Sequence, residues 1–175
     1  MIRLALALWA AFALPAFAQN LEPSEDLARA LFLEHKALSE AMKASDPDAV
    51  RAFFTDGLKA RTSTTEWAEF VRSQDERFGA RGDHFVHGLT WYDRETLVAA
   101  IDFSQPLDNG RGAICGYVVW EIRAMDDMAV ARIEQNLVTP ALRGRGTTEE
   151  VAQLMTDWRC PPPMIEAFLG ISKQN

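Results

Sequence analysis

The fold is decided by residues 82–139, which read GDHFVHGLTWYDRETLVAAIDFSQPLDNGRGAICGYVVWEIRAMDDMAVARIEQNLVT. Val, Ile, Trp, Tyr and Phe are concentrated in four segments, a composition typical of β-strands. The segments run from 82 to 92, 95 to 104, 112 to 124 and 128 to 139. Asp93-Arg94 and Asp126-Asp127 suit hairpin turns, and Asp108-Asn109-Gly110 is a strong turn signal. Consecutive strands with such links must pair antiparallel, because a parallel crossover needs about a dozen residues.

The residues before this stretch have the apolar spacing of helices. The first predicted helix runs from residue 24 to about residue 43 and has one apolar face. That face consists of Leu27, Leu31, Leu38 and Met42. Asp46-Pro47 begins a second helix that ends near residue 55, and an extended piece is predicted for 58–61. The capping box at 63–66 begins a third helix that ends near Gly79. Three helices followed by a four-stranded antiparallel sheet predict an α+β fold.

The tail, residues 140–175, is predicted to be a helical extension that packs on the same domain as residues 19–139. Thr147-Thr148-Glu149-Glu150 is a second capping box, and the prolines at 161–163 end the helix that it opens. We expect a disulfide between Cys115 and Cys160, which would close a loop of about 45 residues. Two separate buried thiols are the alternative.

Residues 1–18 have the pattern of a secretory signal peptide. Arg3 gives a positive start, residues 4–14 form a short apolar run, and Ala16-Phe17-Ala18 is a small-x-small cleavage site. Gln19 stands where a lipoprotein would have cysteine, so lipid attachment is not expected. Cleavage after Ala18 predicts a periplasmic or secreted protein, in a compartment that permits disulfides.

The charge of the chain limits its partners. The net charge is −7, and it becomes −8 once Arg3 is removed with the leader. Such a chain repels nucleic-acid phosphates and anionic lipids, so neither is an expected partner. No apolar run after residue 19 reaches the roughly 20 residues of a membrane span, so no insertion is expected after signal removal. Because phosphate-loop, dinucleotide and zinc-protease motifs are missing from the sequence, we expect no cofactor.

The segment 49–71, AVRAFFTDGLKARTSTTEWAEFV, joins a long amphipathic helix to the strand region. This order of elements resembles the nuclear transport factor 2-like superfamily, which includes ketosteroid isomerase, scytalone dehydratase and an exported bacterial branch of unknown function. The resemblance covers about residues 24–139 and implies a cone, in which a curved sheet wraps around the helices and leaves a pocket. It includes no catalytic motif, and this superfamily hosts enzymes and binding modules alike.

His35 and Asp102 are the candidates for acid–base chemistry. His35 falls at the edge of the apolar face of the first helix, so its imidazole points toward the core or pocket and could act as a general base. The alternative is a hydrogen-bonded core histidine. Asp102 shares a strand face with Val98 and Ala100, and a carboxyl in an apolar pocket can exchange protons with a substrate. The alternative is a solvated or paired carboxylate.

His84 and His87 are spaced like a pair of metal ligands. Residues i and i+3 of a regular strand point to opposite faces, so we expect no metal site. One of the two histidines should face solvent while the other lines the interior.

The large aromatic side chains are the expected walls of a ligand pocket, with core packing as the alternative. They are Trp67, Phe70, Phe85, Trp91, Phe103, Tyr117 and Trp120. We therefore predict a non-catalytic exported domain that binds a small apolar ligand or a protein partner. A small lyase or isomerase with a pocket acid or base is the alternative. Assembly as a homodimer through the outer sheet face is a third alternative, and light scattering would test it.

Overall fold

The computed structural model describes residues 22–107 and 112–171. The predicted signal peptide and the turn at 108–110 lie outside these residues. In the described part, four α-helices precede the sheet and two follow it. They are α1 (Glu25–Lys43), α2 (Pro47–Ala52), α3 (Asp56–Arg61), α4 (Thr64–Phe78), α5 (Thr148–Asp157) and α6 (Pro162–Leu169). A short 3-10 helix, Pro140–Gly144, lies between the sheet and α5.

Polar side chains cap the helices where the sequence predicts them. The Ser24 hydroxyl accepts a hydrogen bond from the Leu27 amide at the start of α1, and Asp46 accepts two amides at the start of α2. Both capping boxes, at Ser63 and Thr147, are formed with their glutamates. These contacts satisfy amides that have no partner inside the helix, and each stabilises its helix by about 1 kcal/mol.

The prediction of three N-terminal helices was wrong by one, because Asp56–Arg61 is helical where an extended piece was predicted. Thr55 explains the difference. Its hydroxyl accepts the Leu58 amide at 3.2 Å, and its own amide donates to the Val130 oxygen at 2.9 Å. A strand that is distant in sequence thus fixes the start of this one-turn helix.

The four predicted strands form one antiparallel sheet with the order β1-β2-β3-β4. The strands are β1 (Phe85–Tyr92), β2 (Leu97–Pro106), β3 (Ala113–Ala124) and β4 (Asp127–Val138). The register shifts between Val86 and Gly88 in β1, and twice in β3 near Trp120 and Ala124. Gly116 lies so close to β4 that a Cβ atom there would collide with the Glu134 carbonyl oxygen. Only glycine fits at this position.

One face of the sheet, here called the inner face, packs against α1 and α2. Its core combines side chains from alternate strand positions with the apolar face of α1. The strands contribute Leu97, Ala99, Ile101, Phe103, Ile114, Val118, Trp120, Ile122 and Val130. Burial of these side chains is the main stabilising contribution to the fold, at about 25 cal/mol for each Å² removed from water.

The opposite face, here called the outer face, is covered at one end by the tail. Cys115, which alternates with the inner residues Ile114 and Gly116, forms a disulfide with Cys160 and has a Cα–Cα distance of 5.1 Å to it. A second apolar cluster surrounds this bond. Its buried members besides the two cysteines are Val138, Leu142, Val151 and Met155. The tail is therefore joined to β3 both covalently and by packing.

Among the described residues, no helix is long and apolar enough to cross a membrane.

Candidate functional site

Two histidines meet in the interior between α1 and the residue that precedes β1. His35 lies one turn from Leu31 and Leu38 on the apolar face of α1 and is 2% exposed. Its ring is stacked on the ring of His84, with 5.3 Å between ring centroids and 18° between planes. His87 is exposed. The expectation that one of the histidines 84 and 87 lines the interior while the other faces solvent is therefore confirmed.

The two imidazoles lie in apolar surroundings without hydrogen bonds. The Phe103 ring is centred 4.0 Å from that of His84, and the Trp120 ring is centred 6.3 Å from that of His35. All four imidazole nitrogens are closed to solvent and have no hydrogen-bond partner among the described residues. The indole nitrogen of Trp120 is likewise closed to solvent and has no hydrogen-bond partner among the described residues. Buried polar atoms in proteins normally have hydrogen-bond partners, so a cluster of unpartnered nitrogens is unusual and requires an explanation.

Burial keeps both imidazoles neutral near pH 7. It lowers the pKa of His35 from 6.5 to about 4. For His84 the pKa falls to about 3, first through burial and then through the charges of His35 and Arg81. A neutral imidazole offers one hydrogen-bond donor and one acceptor. The pair therefore presents two donors and two acceptors, none of which is satisfied within the described part of the chain.

A cavity of about 470 Å³ opens beside this pair, within the usual size range of small-molecule sites. Its lining comes from the exposed edge of α1 and from the segment that leads into β1. The lining residues are Phe32, His35, Lys36, Ser39, Glu40, Lys43, Asp83, His84 and Val86. The Lys43 ammonium contacts the Asp83 carboxylate at 2.5 Å and so links the two walls.

The apolar part of this lining is partly exposed. Phe32 is 39% exposed and Val86 is 40% exposed, although both side chains border the cavity. The cavity thus has the imidazole pair on one side and apolar surface open to solvent on another.

A buried guanidinium lies near the imidazole pair. Arg81 is 3% exposed, and it donates hydrogen bonds to Gln74 at 2.7 Å and Gln135 at 3.4 Å. Its Nε atom is 3.8 Å from the Asp75 carboxylate, which is too far for a hydrogen bond. Neither the Nε atom of Arg81 nor the facing Oδ1 atom of Asp75 has a hydrogen-bond partner in the described part of the chain. Burial lowers the pKa of Arg81, while the charge of Asp75 raises it.

The structure does not bring Asp102 to His35. Asp102 follows Ile101 and precedes Phe103, both of which face inward, so its side chain lies on the outer face. There it lies against Gly88 and is paired in register with Tyr117. The Tyr117 hydroxyl donates to the Glu134 carboxylate at 2.8 Å. The two acid–base candidates are separated by the sheet and cannot act on one substrate.

None of the seven aromatic residues predicted as pocket walls borders this cavity. Phe103 and Trp120 are fully buried core residues, and Trp67 packs on Phe54 with 6.0 Å between ring centroids. The side chains of Phe70 and Phe85 are 43% and 57% exposed. Trp91 packs against the core, and Tyr117 lies on the outer face. The aromatic side chain that does line the cavity is Phe32, which the helical spacing places one turn before His35.

The charged residues of the cavity do not form a metal site. Among the described residues, no group of three or more histidines, cysteines and carboxylates is placed to hold a metal ion. Glu40 and Asp83 are the carboxylates of the lining, and Asp83 is already paired with Lys43.

Fold and site together define an α+β domain with a ligand-sized cavity between its first helix and first strand. No family model matches the chain, and no curated protein matches it. Among solved structures, it is similar to Aln2 from a Streptomyces species, with 13% identity, a TM-score of 0.49, and coverage of 66% of this chain and 93% of Aln2.

Two further structures show similarity at the same level. Bd1075 of Bdellovibrio bacteriovorus has 14% identity and a TM-score of 0.44 over 65% of this chain and 41% of its own. A protein of unknown function with a cystatin-like fold from Methylobium petroleophilum has 17% identity and a TM-score of 0.41. That similarity covers 70% of this chain and 82% of the other. At these TM-scores the similarities carry no conclusion about function.

Proposed function

We propose that this protein is an exported binding domain that takes a small molecule into the cavity beside His35 and His84. The observation that carries the proposal is the pair of buried imidazoles with four unpartnered ring nitrogens. Each unsatisfied buried polar group costs about 1–3 kcal/mol. A ligand that supplies hydrogen bonds removes this cost, so the site favours binding.

The ligand has polar as well as apolar character. Six of the nine lining residues are His, Lys, Glu or Asp, and a seventh is serine. The purely apolar ligand expected from the aromatic content would leave the imidazole nitrogens of His35 and His84 without partners. Because the ring nitrogens are closed to solvent, contact with a ligand requires a rotation of one or both rings. Such side-chain changes are common on binding.

Export and membership of the nuclear transport factor 2-like superfamily are part of the same proposal. The signal-peptide pattern of residues 1–18 supports export, and so does the Cys115–Cys160 disulfide, since such bonds persist in oxidising compartments. The order of elements, with helices first and an antiparallel meander after them, supports the superfamily. Fractionation of cells that express the full chain tests export, with cleavage after Ala18 as the expected result.

The binding proposal is tested by looking for the ligand that the protein retains. The exported protein is purified with its disulfide intact, extracted with organic solvent, and the extract is analysed by untargeted mass spectrometry. His35→Leu and His84→Leu are analysed beside the unchanged protein. His87→Leu is the matched control, because this histidine is exposed and does not line the cavity.

A compound that co-purifies with the unchanged protein and with His87→Leu, and that is lost from both cavity variants, supports the proposal. Circular dichroism melts of all four proteins establish that each variant is folded. A compound retained equally by His35→Leu and His84→Leu places binding elsewhere and contradicts the proposal. Nitrogen chemical shifts of the imidazoles give a second measurement, because a bound ligand must change those of both histidines.

A small lyase or isomerase is the second candidate, and one observation favours it. The cavity holds the carboxylates of Glu40 and Asp83 together with two neutral imidazoles, so proton donors and acceptors share one space. Incubation of the retained compound with the protein in D₂O tests this function. Deuterium incorporation at carbon by the unchanged protein, lost in His35→Gln, would show catalysis. If the unchanged protein incorporates no deuterium, the proposal of catalysis fails and binding remains as the proposed function.

A further inference from the structure

Strand β1 is an edge of the sheet, and one of its sides is open within the described part of the chain. The strand order places β2 on one side of β1 and no described strand on the other. None of its eight residues is buried, whereas β2, β3 and β4 all contain buried residues. The backbone N–H and C=O groups that point away from β2 can therefore pair with another strand.

This edge lacks the features that usually prevent such pairing. Natural edge strands carry charged side chains or proline, or they are covered by another segment. The sequence of β1, FVHGLTWY, contains no Asp, Glu, Lys, Arg or Pro. The opposite edge, β4, differs in both respects. It contains Asp127, Arg132 and Glu134, and the backbone of Val130 hydrogen-bonds to the 53–55 segment.

The bulge at His87 makes the two ends of β1 alike. It removes His87 from the register with β2, and seven paired residues remain. Because of the extra residue, Phe85 and Tyr92 lie on the same face, the outer one, where their partners in β2 are Ser104 and Val98. Both aromatic side chains are exposed, Phe85 by 57% and Tyr92 by 39%.

The seven paired residues of β1 are complementary to those of a second copy. Directly opposite residues in an antiparallel pair lie on the same face of the sheet. A two-fold axis at Leu89 meets this condition at every position, because the bulge leaves three paired residues on each side of Leu89. The pairs are Phe85 with Tyr92 and Gly88 with Thr90 on the outer face, and Val86 with Trp91 and Leu89 with Leu89 on the inner face.

Charges just beyond the paired residues are complementary in the same register. It sets Asp83 opposite Arg94 of the second copy, and the two-fold axis repeats this pair. Both side chains are exposed, and Asp83 is already in contact with Lys43 of its own chain. The net charge of −7 repels copies of the chain from one another. An uncharged strand with ends of opposite charge is a place where two copies can approach.

We propose that two copies of this protein associate through β1, antiparallel about Leu89, so that their two four-stranded sheets form one continuous sheet. Pairing of identical strands about a two-fold axis closes after two copies. Trp91 of the second copy would lie beside Val86, which lines the cavity and is 40% exposed. The second copy thereby covers part of the apolar side of the cavity. The contact is at the edge of the sheet and not on its outer face.

The experiment is sedimentation equilibrium of the exported, disulfide-bonded protein. An interface of one strand from each copy is small, so the dissociation constant should be on the order of 10 µM. Thr90→Lys sets two like charges close to the two-fold axis and should weaken association by at least about tenfold. Thr156→Lys is the matched control, because it makes the same change of net charge at an exposed threonine in α5. Circular dichroism melts establish that each variant is folded.

An exchange of charges tests the register and does not alter the strand itself. Arg94→Asp places a carboxylate opposite Asp83 in both symmetric pairs and should weaken association by about tenfold, because attraction becomes repulsion twice. Adding Asp83→Arg to the same chain reverses both charges and should restore the dimer. Amide hydrogen exchange locates the contact: exchange in β1 should slow as the protein concentration rises, and exchange in β4 should not change.

Each of three results overturns the inference. The first is a protein that remains monomeric up to about 200 µM, twenty times the expected dissociation constant. The second is a dimer that Thr90→Lys leaves unchanged, or one whose concentration-dependent protection lies in β3 and β4, since the contact is then elsewhere on the sheet. The third is a double charge exchange that does not restore association, which rules out the pairing about Leu89. The proposed ligand binding is measured separately and stands or fails independently of these results.

Discussion

Mild acid should destabilise this protein through its buried histidines, and His35→Leu should remove about half of that effect. The pKa of His35 is about 4 in the folded protein and 6.5 in its ordinary environment, because burial disfavours the imidazolium. As the pH falls below about 6.5, the unfolded chain binds a proton that the folded protein does not bind until about pH 4. The contribution of His35 to the free energy of unfolding is therefore fully present above about pH 6.5 and is lost as the pH falls from about 6.5 to about 4.

The magnitude follows from the two pKa values. The difference between 6.5 and about 4 corresponds to about 3 kcal/mol for His35. Near pH 5.5 each of the two imidazoles is about nine-tenths protonated in the unfolded chain, so unfolding should take up about 1.8 protons and the free energy of unfolding should change by about 2.4 kcal/mol per pH unit. In His35→Leu only the uptake by His84, about 0.9 proton, remains, and the slope should fall to about 1.2 kcal/mol per pH unit.

The assay is guanidinium chloride unfolding followed by tryptophan fluorescence, at several pH values between about 5.2 and 6.5. At pH 7 the variant should be at least as stable as the unchanged protein, because leucine removes two buried polar atoms that have no partners among the described residues. His87→Leu is the control and should retain the full slope, since its side chain is exposed in the folded protein. An unchanged slope in His35→Leu would refute the assignment of His35 as a buried neutral imidazole.

Three further predictions concern the sheet and its tail. Cys115→Ser and Cys160→Ser should lower the free energy of unfolding by similar amounts, up to about 4 kcal/mol for a loop of this length, and free thiols in the unfolded, unreduced protein would contradict the bond. Gly116→Ala should cost more than about 2 kcal/mol in denaturant unfolding, because the added Cβ meets the facing β4 carbonyl. Gly57→Ala, whose Cβ meets nothing within 4 Å in α3, should be neutral or stabilising by up to about 1 kcal/mol, and an equal loss at both sites would argue against the collision. Tyr117→Phe should cost about 0.5–1.5 kcal/mol at pH 7 through its lost hydrogen bond, and an unchanged melting curve would show that this contact contributes nothing.

The sheet could be predicted from the sequence because its signals are local. Alternating β-branched and aromatic residues mark the strands. The links are short, four residues between β1 and β2 and two between β3 and β4, so these consecutive strands must pair antiparallel. The helix at Asp56–Arg61 could not be predicted, because its start depends on a hydrogen bond from Thr55 to Val130, in a strand that comes much later in the chain.

The candidate site was predictable only in part. The apolar face of α1 placed His35 in the interior, since helical periodicity fixes direction. The partner of His35 is His84, and no local pattern relates residues this far apart. Alternation grouped Asp102 with Val98 and Ala100, but the contact with α1 decides which strand face is inner. This choice depends on tertiary packing, and it places Asp102 on the side away from the cavity.

The cystine at β3 has a consequence for biogenesis. The rest of β3, all of β4 and α5 lie between Cys115 and Cys160, which are 45 residues apart in the chain, so Cys115 remains a free thiol until those residues have followed it. During that interval an oxidant can join it to another thiol, including that of a second nascent copy. Efficient maturation therefore requires that α5 dock on the sheet before an oxidant acts, and a thiol oxidase that arrives early would yield covalently crossed dimers.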